Sequence, residues 1–104
     1  MIILDYGTLP GPEEIVGACD GPYKIGNVHT MSAIVEAVNQ GIDSHLEAVF
    51  WTGAIGVYGH FNIAIEPGSM PVLLRRLVEM YNAGNDEAGN DASAILGTLG
   101  FEWI

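Results

Sequence analysis

The chain has 104 residues, of which thirteen are acidic and only three, Lys24, Arg75 and Arg76, are basic, for a net charge of −10. So few cations exclude extensive phosphate contact, and with it binding to DNA, RNA or an anionic membrane face; the expected partner is a basic protein. Hydrophobic residues at 49% against 15% charged exclude a disordered chain and leave little polar surface to cover one compact domain spanning residues 1–104, so an apolar patch used in a homodimer or partner interface is also expected.

Met1 to Tyr6 is a short apolar run ended by Gly7 and predicts a strand buried on both faces. Leu9 to Gly26 carries three prolines and four glycines, which interrupts regular structure. Within it, Pro12 suits the first turn of a short helix through Cys19, with Glu13 and Glu14 complementing the helix dipole; Asp20, Gly21 and Pro22 then form a turn. Thr30 is placed to cap a second helix, whose buried stripe is Met31, Ile34, Val35 and Val38 and whose stop is Gly41.

Residues 45–66 alternate with a period of two, which predicts a β-hairpin turning at Thr52–Gly53. Ile55, Val57, Phe61, Ile63 and Ile65 form one face of its second strand, and Leu46, Ala48 and Phe50 one face of its first. Keeping those faces together allows a two-residue loop that pairs His45 with His60, or a four-residue loop that pairs Glu47 with His60. Beyond the turn at Pro67–Gly68, Ser69 is placed to cap a helix with the stripe Met70, Leu73, Leu74, Leu77 and Tyr81, closed by Gly84. Asn85 to Asp91 reads as an acidic, partly helical connection. Ala92 to Leu99 reads as a shorter helix ended by Gly100, and Phe101 to Ile104 as a last short strand.

The expected fold is therefore α+β: a small, mainly antiparallel sheet with a central β-hairpin and helices packed on one face, in the order β-α-α-β-β-α-α-β. No apolar run approaches the roughly 18 residues of a membrane span. Asp5 follows Ile2, Ile3 and Leu4 at once, without the basic start of a secretory signal, and the lone Cys19 allows no internal disulfide. A cytoplasmic setting is expected, with Cys19 as a small buried hydrophobe.

Two groups of residues are candidates for function. On the hairpin, His45, Glu47, Tyr58 and His60 fall on one side, where cross-strand Cβ atoms lie about 4.5–5.5 Å apart, close enough to share a metal or a proton. A third strong ligand is missing, and an open sheet face shields a metal poorly, so a partner-facing surface is the reading preferred. Elsewhere, Glu13, Glu14 and Asp20 on one side, and Asp86, Glu87 and Asp91 on the other, are solvated carboxylates able to imitate a run of phosphates. His29 reads as a loop residue, and Gly53, Gly56 and Gly59 as turn and bulge formers rather than a nucleotide fingerprint. No nucleophile elbow, P-loop or zinc-type spacing occurs, so no catalytic residue, cofactor or metal is assigned.

The sequence thus points to a small, acidic, non-enzymatic binding protein of the inhibitor, immunity or anti-defence type. Its partner would be a basic, nucleic-acid-handling protein. The contact set would be the two carboxylate groups for steering, with Glu47, Tyr58, His60 and Trp51 for the hairpin's share of the binding energy. The alternatives are a homo-oligomeric structural or adaptor protein joined through exposed Tyr58, Trp51, Phe101 and Trp103, and a metal- or ligand-binding domain built on the hairpin histidines.

Overall fold

The structure is a computed structural model and describes residues 1–29, 32–42, 49–52 and 60–104. The chain is α+β. In order, the elements are β1 (Ile2–Leu4), α1 (Pro12–Ala18), β2 (Tyr23–His29), α2 (Ala33–Ile42), β3 (Val49–Thr52), β4 (His60–Ile65), a 3₁₀ turn (Pro67–Ser69), α3 (Met70–Asn82), α4 (Asp86–Leu99) and β5 (Phe101–Trp103). They form two sheets. One is antiparallel in the order β2-β4-β3; the other is a parallel pair of β1 with β5.

The antiparallel sheet departs from the expected hairpin in two ways. Its central strand, β4, carries β2 on its second edge, a strand that the Pro- and Gly-rich stretch gave no sign of. Lys24, Gly26 and Asn27 break the alternation, and the pairing shifts between Ile25 and Val28, the mark of a bulge. The expected registers are also overturned. Val49 lies opposite Ile65, Phe50 opposite Ala64 and Trp51 opposite Ile63, so Thr52 ends a strand instead of beginning a tight turn. Ile63 and Ile65 are buried, and it is Val49 and Trp51, not the expected Leu46 and Phe50 set, that stand level with them.

The core lies where Val28, Ile63 and Ile65 of this sheet meet the stripes of α2, α3 and α4. On α2, Ile34, Val35 and Val38 are buried as the spacing predicts, with Ala33 and Ala37 beside them. This helix begins at Ala33, capped by the buried Ser32, whose Oγ accepts from Val35 N at 3.2 Å, and it continues past Gly41 to Ile42. On α3, Met70, Leu73, Leu74, Leu77 and Met80 are buried, each of the large side chains contributing about 2 kcal/mol of transfer free energy. Ser69 does not cap it with its side chain; its backbone is already helical, held by Ser69 N donating to Glu66 O. Gly84, at φ +108°, closes α3 with Gly84 N donating to Tyr81 O and Asn85 N to Met80 O. The acidic connection expected to be partly helical is the start of α4 itself, which runs unbroken from Asp86, because Asn85 Oδ1 accepts from Ala88 N and caps it.

The terminal strands lie in register, Ile2 opposite Phe101 and Leu4 opposite Trp103. Phe101 and Trp103 are buried, so they are unavailable to the interface expected of them, whereas Ile2 and Ile3 are about half-exposed and β1 is not buried on both faces. Trp103 anchors this sheet: its ring lies 4.7 Å from that of Tyr6, which in turn meets Tyr81 of α3 at 5.4 Å, and its Nε1 donates to Thr8 O at 2.7 Å. Trp103→Phe leaves that carbonyl without its donor and is expected to cost about 1–2 kcal/mol in urea unfolding. A variant as stable as the parent would show the bond to be negligible.

Candidate partner-binding surface

The sequence places carboxylates at two helix starts, and the fold keeps them in solvent there. Glu13 and Glu14 are exposed in the first turn of α1, Asp86 and Glu87 in the first turn of α4, where the unpaired N–H groups favour negative charge. Asp20 is exposed just after α1. The cations offer little to offset them. Lys24 and Arg75 are exposed, and Arg76 binds Glu79 at 2.9 Å.

The two acidic groups do not merge into one patch. Asp20 borders a shallow depression that Thr98 and Leu99 line from the last turn of α4. Asp86 and Glu87 lie at the other end of that helix, about 20 Å away along its axis.

Asp91 behaves differently from its neighbours. It is half-buried, and its Oδ2 is closed off from solvent with no hydrogen-bond partner among the described residues. Burial, then the charge of Glu87 one turn earlier, pushes its carboxyl up to about 6, against the opposing pull of the Ile34 backbone N–H at the start of α2. The sequence holds a signal for this: Asp91 shares the spacing of Ala88, Ala92, Ile95 and Leu96, all buried on α4.

The hairpin group is only partly in view. His45, Glu47 and Tyr58 lie outside the described residues. His60 is on β4, where its Cα partner is His29, the last residue of β2 and not the loop residue expected; without β2 the pairing is invisible. Trp51 is on β3, opposite Ile63. Among the described residues, no three His, Cys, Asp or Glu side chains are grouped closely enough to hold a metal ion. Cys19 is half-buried and donates to Ile15 O at 3.4 Å; burial, then Asp20, pushes its thiol up, which disfavours the reactive thiolate. No helix among the described residues is long and apolar enough to cross a membrane.

No protein-family model matches the chain, and neither a curated protein nor a solved structure matches it.

Proposed function

We propose that the chain is a small acidic binding protein, without catalysis of its own, that engages a basic, nucleic-acid-handling partner in the manner of an inhibitor or immunity protein. The observation that carries this reading is the exposure of Glu13, Glu14, Asp20, Asp86 and Glu87 on a chain with three cations, one of them occupied by Glu79. A cationic surface approaching either helix start meets carboxylates that no described cation neutralises, and the field of the whole chain draws it in. Asp86 and Glu87 act first in encounter. The hairpin residues Trp51, Tyr58, His60 and Glu47 are assigned to the bound contact, and Asp91, half-buried on α4, is left out of it.

Affinity capture from the cells that make the protein, followed by association kinetics on the retained partner, tests this. The partner is expected to be a basic protein, and its association rate to fall about tenfold between low and high salt. Asp86→Lys with Glu87→Lys is expected to slow association severalfold while leaving the chain folded, both side chains being solvated and the loss of their favourable charge at the start of α4 costing about 1 kcal/mol. A partner whose association ignores salt, or wild-type protein that binds DNA at physiological ionic strength, overturns the proposal.

A further inference from the structure

A strand in a parallel pair gives alternate residues to its neighbour. On β1 these are Ile2 and Leu4, continued by Tyr6. Ile2 N donates to Gly100 O at 2.9 Å, Leu4 O accepts from Ile104 N at 3.0 Å, and Tyr6 N donates to Ile104 O at 3.0 Å. The N–H and C=O of Ile3 therefore point away from β5, and no described strand pairs with that edge. Among the described elements, β5 alone makes more than passing contact with β1. The side chains along this strand are large and apolar: Met1 is 78% exposed, Ile2 55% and Ile3 52%. β1 is short, but its three residues carry no charge and no described strand covers the edge, two further devices that soluble proteins use.

We propose that β1 pairs antiparallel with β1 of a second copy about a two-fold axis at Ile3, giving one four-stranded sheet in the order β5-β1-β1-β5. Symmetry favours this occupant. Antiparallel residues that face each other can exchange both backbone bonds, and Ile3 offers one donor and one acceptor to its own copy. The same register sets Ile2 against Leu4 of the second copy and Met1 against its Asp5. Ile3 then meets Ile3 on one face and Ile2 meets Leu4 on the other, with a Met1–Asp5 pair at each end.

Charge permits the contact despite −10 on each chain. Each Asp5 faces a Met1, and the two Asp5 residues stand about 13 Å apart along the strands, beyond the screening length of about 8 Å at physiological salt. Glu102 lies a further strand away on either side. The area is small, below the ~1,200 Å² of a standard interface, so the dimer is weak. This contact uses none of the carboxylates assigned to the basic partner. Its salt dependence also has the opposite sign, because screening two acidic copies strengthens it.

Sedimentation equilibrium of the full chain from about 5 to about 500 μM, at low and high salt, is the test. Wild type is expected to dimerise with concentration, severalfold more tightly at high salt. Ile3→Pro removes the outward N–H and leaves the bonds to β5 untouched, as an edge strand allows; it is expected to weaken the dimer at least tenfold with an unchanged near-ultraviolet signal from Tyr6 and Trp103. Should that signal change, Ile3→Lys, which keeps the N–H but charges the edge, decides in its place, with the same loss expected. A wild type that stays monomeric throughout, a dimer that weakens with salt, or folded variants that dimerise like wild type each overturn the proposal.

Discussion

Replacing Gly89 with alanine is expected to destabilise the chain by about 2 kcal/mol, although the same change in an open helix stabilises by about 1 kcal/mol. Gly89 is buried on α4 where the ring of Tyr81 crosses it. An added Cβ falls inside contact distance of Tyr81 Cδ1 and 2.9 Å from Cε1. The ring has little room to retreat, since its other neighbour, Tyr6, is backed by the tilted ring of Trp103. Gly97→Ala on the same helix is the matched control. Nothing lies within 4 Å of its added Cβ, so the propensity gain of about 0.5–1 kcal/mol is expected to survive. Urea unfolding of the two variants separates steric overlap from helix propensity; if Gly89→Ala gains as much as Gly97→Ala, the close approach of α3 and α4 is not what the structure shows.

Asp91→Asn is expected to raise stability at neutral pH and to do nothing near pH 4. The carboxyl of Asp91 is pushed up to about 6, chiefly by burial, from an ordinary value of 3.8. The folded chain therefore holds this proton more tightly than the unfolded one, and between about pH 4 and 6 it carries more of it. Stability falls as pH rises through that window and stays low above it, because an ionised Asp91 must then be kept half-buried. A displacement of that size corresponds to about 3 kcal/mol for a fully enclosed charge. Solvent screening of a half-exposed group reduces it to about 1 kcal/mol. Asparagine keeps an acceptor for the Ile34 N–H and removes the charge, so the melting temperature at pH 7.5 is expected to rise by roughly 4–8 °C. Thermal melts of both proteins from pH 4 to 8 isolate this residue, every other group being common to the two. A difference that is the same at both ends of the range removes Asp91 as its source.

The helices were largely legible because a 3.6-residue apolar period has one interpretation. The stripe of Leu73, Leu74 and Leu77, the start at Pro12 and the stop at Gly84 are all where the spacing puts them. The sheet was less so. Val49, Phe50 and Trp51 are apolar on consecutive residues, so alternation did not say which parity belongs with Ile63 and Ile65, and the register followed the other one. The bulge at Gly26 and Asn27 hid β2, and with it the pairing of His29 with His60. Short apolar runs at Ile2 and Phe101 announced strands but not their exposure, because burial there depends on which neighbours arrive. At the acidic surface, Asp86 and Glu87 are solvated as their charge implies, while Asp91 is not, because its place on the buried stripe outweighs its charge.

Ile2 and Phe101 meet across nearly the whole chain. Closing a loop of that length comes late in folding, after the local helix pairs and the antiparallel strands have formed. At ordinary rates of synthesis, roughly 5–20 s pass between the emergence of β1 from the ribosome and that of β5. Throughout that interval Ile2, Ile3 and Leu4 lack the partner strand that β5 later supplies. Until β5 arrives, β1 is an apolar strand open to pairing with other chains, and a holding chaperone or rapid dilution would protect it.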